Sequence, residues 1–314
     1  MPCRLTYQIN HHAKLCQNYE KSNNKIKMRI IVESGSTKSD WVLLDEKNNR
    51  TYTTTIGFNP YFHDETTICQ HISENQLLSD APESVSSIHF YGAGCSSEDM
   101  CEIVEKALHK VFPNAYVYVG HDLDACGYAT YRGKPVIACI LGTGSNSCYF
   151  DGKEVHEEVP ALAYILGDEG SGSYFGKQLL SKYLYKQLPE HLHKDFTELY
   201  KTDKAEILSK VYIEPHANVY IASFATFLSR HSEDPFIKDM VYEGVRKFME
   251  THVFCFKNAL DAEVSFVGSI AYHFEDILRK AASDLGLTVG QIVKKPVDGL
   301  VDYHLNYIYE KAKI

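Results

Sequence analysis

Two separate stretches of this chain are built on one plan. Residues 28–45 read Met-Arg-Ile-Ile-Val-Glu-Ser-Gly-Ser-Thr-Lys-Ser-Asp-Trp-Val-Leu-Leu-Asp, and residues 136–151 read Val-Ile-Ala-Cys-Ile-Leu-Gly-Thr-Gly-Ser-Asn-Ser-Cys-Tyr-Phe-Asp. In each, an apolar run meets a Gly/Ser/Thr turn, a second apolar run comes next, and a polar turn closes the unit. A single copy is an ordinary β-hairpin. Two copies predict two similar halves, each offering backbone N–H groups and hydroxyls at a tight turn, as a polyphosphate requires.

The chain beyond each hairpin supports that division. After the first comes a strand over 50–56, a turn at Gly57-Phe58-Asn59-Pro60, and helical spacing over 65–78. A strand over 87–91 ends in Gly92-Ala93-Gly94, a helix covers 99–111, a strand covers 115–119, and a helix starts at Leu123. After the second hairpin, a third strand is expected near 159–166, then mostly helix to about 260. Helices are read at 174–186, 204–211, 217–229 and 235–260. A strand at 264–267 and helices at 272–285 and 301–312 complete the pattern. Hairpins first and parallel crossovers later define an α/β chain. The turns at strand ends, at Gly35, 92–94, Asp122, 142–145 and Gly268, stand where open α/β sheets bind ligands.

With 314 residues, 44% hydrophobic and 23% charged, the chain can support a sizeable core. A net charge of −9 argues against nucleic acid or an anionic membrane as the main partner. Nine cysteines with no Cys-x-x-Cys pair argue against a disulfide framework or a zinc site, and a reducing cytoplasm is the simplest setting. No apolar run reaches the length of a membrane span. Residues 1–27, rich in Asn, His, Gln and Lys, are expected to be a disordered or non-native extension, with Met28 opening the domain.

Several constellations carry possible chemistry, each beside a plainer reading. Glu33-Ser34-Gly35-Ser36-Thr37-Lys38 puts a carboxylate at a strand end and a relaxed turn after it; it is either a phosphate grip or a hairpin turn. Gly142-Thr143-Gly144-Ser145-Asn146 lacks the lysine and spacing of a Walker loop, so its weight comes from pairing with the first turn. Asp122 comes just after an apolar strand and reads as a helix cap or as a base for an attacking hydroxyl, with Asp124 its neighbour and competitor. Gly167-Asp168-Glu169-Gly170-Ser171-Gly172 places two acids among glycines ahead of a helix, more acid than a helix dipole needs. It suits a polyol whose hydroxyls donate to carboxylates. Gly268-Ser269, between strand and helix, is either an adenosine contact or a simple turn.

Together these motifs resemble the actin/hexokinase/heat-shock ATPase superfamily, and within it the N-acetylglucosamine kinase-like sugar kinases grouped with the BadF/BadG/BcrA/BcrD ATPases. The resemblance runs from about Met28 to the C-terminus, and the Gly167–Ser171 segment is its most specific part. It implies two ribonuclease-H-like lobes, each with a five-stranded mixed sheet, around a nucleotide and sugar cleft. The N-terminal lobe would comprise 28–121 with 297–314, and the C-terminal lobe 122–296. It implies ATP and Mg²⁺ as cofactors, with Ser36, Thr37, Lys38, Gly142, Thr143, Gly144, Gly268 and Ser269 on ATP and Glu33 on magnesium through water. It implies an amino sugar among Asn59, Asp122, Asn146, Gly167, Asp168, Glu169 and Gly170, with Asp122 orienting the 6-hydroxyl. A cytoplasmic homodimer is also implied. One position departs from the pattern: Glu33 stands where relatives carry the shorter aspartate.

Two other classes remain beside the kinase. An ATPase that activates a partner reductase would carry a cluster-binding cysteine in the loop equivalent to 167–172, and none is there. A sugar-binding sensor with weakened kinase activity rests on Glu33 alone.

Overall fold

The computed structural model describes residues 28–309. The expectation for residues 1–27 and the last residues of the closing helix lie outside that range. The described chain forms two compact units. One holds the residues up to Lys134, with Phe150–Val155 and the chain from Pro296 onward; the other holds Pro135–Tyr149 and His156–Lys295.

Each unit is built on a five-stranded sheet of the same strand order. In the first, β1 (Met28–Ser34) and β2 (Lys38–Leu44) form the expected hairpin, and β3 (Arg50–Ile56) extends it antiparallel. β4 (Val85–Gly92) pairs parallel with β1, and β5 (Tyr116–His121) pairs parallel with β4. The order is β3-β2-β1-β4-β5. In the second, β6 (Val136–Leu141), β7 (Ser145–Phe150) and the short β8 (Val155–His156) repeat the opening meander. β9 (Glu263–Val267) and β10 (Thr288–Val293) add parallel strands, giving β10-β9-β6-β7-β8. The duplicated plan read from the two hairpins is therefore a duplicated sheet.

Side-chain alternation places the cores. In the first sheet Ile30, Val32, Ile88 and Phe90 face α1 (Glu65–Ser73) and α3 (Glu98–Val111), around a buried Trp41. Trp41 keeps its indole N–H bonded to Thr55 Oγ1 at 3.0 Å. On the opposite face α4 (Asp122–Thr130) packs against α14 (Val297–Tyr303), which is tied to β3 by Tyr52 and Arg50 on Asp298 and Asp302. In the second unit α6 (Gly172–Leu184), α7 (Glu190–Tyr200) and α11 (Pro235–Phe248) bury Phe175, Phe196 and Phe248.

Several expected elements differ. The strand near 159–166 is a loop and a single helical turn, α5 (Ala163–Leu166), with Leu162, Ile165 and Leu166 exposed, Leu166 at 75%. Its apolar residues face no core, so nothing rewards a strand there. The helix over 65–78 breaks at Asn75, whose side chain caps α2 (Gln76–Ser79) and donates to Thr53 Oγ1 at 2.8 Å. The helix over 217–229 divides at Phe224 into α9 (Ala217–Ser223) and α10 (Ala225–Arg230). The helix over 235–260 ends at Phe248 and passes into a π-helical turn, Met249–Val253. The stretch 272–285 is two helices, α12 (Ser269–His273) and α13 (Glu275–Asp284). The closing helix begins earlier than expected, at Val297, and becomes π-helical over His304–Tyr309. Among the described residues no helix is long and apolar enough to cross a membrane.

Candidate active site

Register brings the candidate turns of the first unit to one sheet edge. Ser34 pairs with Gly92, and Gly92 pairs with His121. The β1–β2 turn, the 92–94 turn and Asp122 therefore leave the sheet side by side, beyond the carboxyl ends of the parallel strands. Gly35 N–H donates to Lys38 O at 3.0 Å to close the first turn. Ser34 Oγ, fully buried, accepts Phe58 N–H at 2.9 Å and lies 2.7 Å from Ser39 Oγ, which fastens the turn to the 57–60 segment. Ser36 is half-buried, Thr37 and Lys38 are exposed, and Lys38 Nζ sits 2.7 Å from Asp40 Oδ1. Glu33 is half-buried and stands opposite Asp40 in the hairpin.

Asn59 is 9% exposed on the turn after β3. Its Oδ1 accepts Tyr61 N–H at 3.0 Å, while its Nδ2 has no partner among the described residues. The carboxamide lies against Gly94, which has φ +82°. A Cβ there would come within 2.4 Å of Asn59 Oδ1, so glycine alone leaves the amide in place.

The start of α4 gives Asp122 and Asp124 different surroundings. His121, not Asp122, is the N-cap: its Nδ1 accepts Leu123 N–H at 3.3 Å, and Asp124 Oδ2 accepts His121 N–H at 3.1 Å. Those bonds form a capping box. Asp124 is spent on the helix start. Asp122 is left at the strand-to-helix junction with its side chain 24% exposed and Oδ1 3.0 Å from His121 Nδ1.

The second unit repeats the layout. Val267 pairs with Ile140 and with Val293, so the turns after β6 and β9 emerge together. Gly142 N–H donates to Gly144 O at 3.0 Å. The start of α6 then closes on the turn: Gly172 N–H reaches Gly142 O at 2.8 Å and Ser173 N–H reaches Thr143 O at 3.0 Å. Asp168 ties the same pieces. It accepts Ser145 N–H at 3.3 Å and the Ser173 hydroxyl at 3.2 Å, from a backbone with φ +59°. Burial raises the pKa of its carboxyl, against those hydrogen bonds, which lower it. Asn146 is buried; its Oδ1 accepts Ser147 N–H at 2.9 Å and its Nδ2 has no partner among the described residues. Gly167 and Gly170 are buried at the ends of the acidic pair. Glu169 faces His252 and Lys247, 3.4 Å and 3.9 Å from the respective nitrogens.

Gly268 has φ +120° and donates to Val293 O at 2.9 Å; Ser269, exposed, opens α12. A Cβ on Gly268 would lie 2.4 Å from Leu141 O, against the second turn. Gly268→Ala is expected to cost about 2–4 kcal/mol by backbone strain and overpacking. A urea midpoint equal to wild type would contradict that close approach.

Sequence reading missed His252 and Lys177. His252 lies far along the chain from Glu169, with no local spacing to flag it. Lys177, one turn into α6, donates to Tyr164 O, and burial lowers its pKa although Asp168 and Glu169 act to raise it.

No family model matches the chain, and no curated protein matches it. Among solved structures, a candidate N-acetylglucosamine kinase from Porphyromonas gingivalis is 34% identical with a TM-score of 0.83, over 88% of this chain and 99% of that one. The chain belongs to the N-acetylglucosamine kinase-like sugar kinases. This family sits in the actin/hexokinase/heat-shock ATPase superfamily, and the paired β3-β2-β1-β4-β5 sheets have the corresponding form. A candidate N-acetylglucosamine kinase from Chromobacterium violaceum shares the fold at 14% identity and a TM-score of 0.68, over 88% of this chain and 99% of that one. A ROK family transcriptional regulator also shares it, at 10% identity and a TM-score of 0.50, over 92% of this chain and 82% of that one. Fold alone therefore does not decide chemistry in this N-acetylglucosamine kinase-like protein.

Proposed function

We propose that this protein transfers the γ-phosphoryl group of ATP to the 6-hydroxyl of N-acetylglucosamine or a close amino sugar. The observation that carries the reading is its membership of the N-acetylglucosamine kinase-like family over nearly the whole chain, including a relative from P. gingivalis named for that substrate. In this reading Ser36, Thr37 and Lys38 on one turn and Gly142, Thr143 and Gly144 on the other contact phosphates through N–H groups and hydroxyls. Gly268 and Ser269 accept the adenosine. Asn59 and Asn146 each bring a free amide donor for sugar oxygens, and the Gly167–Gly170 segment brings acceptors for sugar hydroxyls. Asp122 orients the attacking hydroxyl; the loose transition state of phosphoryl transfer rewards such positioning. A homodimer in the cytoplasm completes the reading.

The carboxylates at the end of the first hairpin fit magnesium. Glu33 and Asp40 stand opposite each other, and Asp40 is already paired with Lys38. A carboxylate at this strand end suits an ion that keeps several waters and takes its other oxygens from phosphates, whose charge it neutralises when bound. Glu33→Asp is expected to preserve or raise kcat/KM for MgATP. A loss of about tenfold or more would show that the longer acid is fitted to its place.

The deciding experiment is a coupled ADP-release assay with MgATP over N-acetylglucosamine, N-acetylmannosamine, glucosamine and glucose. Turnover with an N-acetylated hexosamine, giving the 6-phosphate by NMR, is expected. ADP release with every sugar no faster than that of Asp122→Asn would overturn the reading.

A further inference from the structure

We propose that His252 is a positioning residue that presents the Glu169 carboxylate to the hydroxyls of the acceptor sugar; this rests on the sugar kinase reading. His252 lies on the π-helical turn Met249–Val253, where Phe254 N–H donates to Met249 O at 3.0 Å. Such turns inside helices recur at functional sites. The turn releases the His252 carbonyl from the helix ladder, and it accepts the Ser147 hydroxyl at 2.6 Å and the Cys255 thiol at 3.3 Å. The ring stacks on Phe248, with centroids 5.0 Å apart and planes 19° apart. Backbone and ring are thus both fixed.

The imidazole is only 4% exposed, and Nε2 points at Glu169 Oε2 from 3.4 Å. Facing a carboxylate, Nε2 carries the proton. Nδ1 is then left buried with no hydrogen-bond partner among the described residues, a destabilising arrangement in a protein interior. A phenylalanine or leucine would pack there without an orphaned nitrogen, so the imidazole is explained by what Nε2 does to Glu169. The two acids of the loop divide the work. Asp168 spends its oxygens on Ser145 and Ser173 and holds the turn together. Glu169 has its main chain held by the Ser145 hydroxyl at 2.7 Å, while its side chain pairs, among the described residues, with His252 and the exposed Lys247. Glu169 therefore keeps lone pairs for ligand hydroxyls, and His252 sets the direction in which they point.

The test uses the full chain and His252→Phe, which keeps the stacking and removes the N–H, with His252→Gln as the conservative variant that restores a donor. His252→Phe is expected to raise KM for N-acetylglucosamine about tenfold or more while kcat and KM for MgATP stay within about twofold, and His252→Gln to recover most of the loss. An unchanged sugar KM in His252→Phe, or a loss shared equally by sugar KM, nucleotide KM and melting temperature, would overturn the assignment. A second arm needs no turnover. The His252 Nε2–H signal in ¹⁵N-imidazole NMR is expected in wild type and lost or broadened in Glu169→Gln; no change there overturns the pair itself. A wild-type protein that phosphorylates no sugar overturns the kinase reading instead, so the two failures are separable.

Discussion

Asp122→Asn is expected to lower kcat for sugar phosphorylation by about 10²- to 10⁴-fold, the usual worth of a positioned base, while melting temperature and MgATP affinity stay near wild type. The expectation comes from the start of α4. A helix-capping aspartate would cost stability when changed to asparagine, or nothing, since asparagine caps as well. Asp122 makes no such bond; His121 and Asp124 supply the capping box. Among the described residues its carboxylate pairs with the ring of His121, and it stands where β5 delivers it beside the 92–94 turn. Asp124→Asn is the matched control. It weakens the box, so about 1 kcal/mol of stability is at stake, with kcat little changed. The measurement is the ADP-release rate at saturating sugar and ATP, with a denaturation curve for each protein. A near-wild-type rate in Asp122→Asn would remove Asp122 from the chemistry, and a large rate loss confined to Asp124→Asn would exchange the two assignments.

Much of the architecture was legible because punctuation and periodicity agreed. β3 was read to the residue because Arg50–Ile56 lies between a polar turn and Gly57. Both hairpins were visible because most residues on them are buried and each has a Gly/Ser/Thr turn between two apolar runs. The failures share a cause. β10, Thr-Val-Gly-Gln-Ile-Val, is half-buried, and its signal is weak because its pairing with β9 is what makes it a strand. The 159–166 stretch failed in the opposite sense: Val159, Leu162, Ile165 and Leu166 look like a strand, but Pro160 and the lack of a facing layer leave them in a loop and one helical turn. The π-helical turns had no signature in composition at all, since each depends on one residue more or less within a helix.

The candidate site was legible where its residues are neighbours in sequence. The two turns and Gly268 each come after a strand, and sheet register explains why they gather at the edge of each sheet, whereas the Gly167–Gly172 loop comes after the helical turn α5 and is tied to the second turn by hydrogen bonds. The structural role of Asp124 did have a signal: an N-cap with an acid three residues later is a capping box, even with histidine in the first position. His252 had none. It reaches Glu169 only because α11 runs on past Phe248 into a turn bonded to β7 through Ser147, a relation visible in three dimensions only.

Acid is expected to unfold this protein in proportion to one buried imidazole. Alternation along β4 puts His89 and Tyr91 on the face away from Ile88 and Phe90, against α14 and the π-helical turn His304–Tyr309. There His89 is 3% exposed, with Nδ1 3.4 Å from the Tyr309 hydroxyl, the His304 ring 4.6 Å away, and the Tyr116 and Tyr118 rings beside it. Arg29 lies over the Tyr309 ring at 4.5 Å. Burial, and then the Arg29 charge, push the His89 pKa down to about 3. An unfolded chain takes up this proton near pH 6.5, while the folded protein refuses it until the pH nears its depressed value. Stability from this group is therefore intact above pH 6.5 and falls as pH falls, by about a factor of ten in the folding constant per unit, or on the order of 5 kcal/mol by pH 3. Urea midpoints between pH 7 and 5.5 read the effect where ordinary carboxylates stay ionised, and comparison with a His89 variant separates it from the other histidines. His89→Asn, which retains a polar group toward Tyr309 and does not titrate, is expected to start less stable and to show a much flatter profile over that range. An equally steep decline in wild type and His89→Asn would place the acid sensitivity elsewhere.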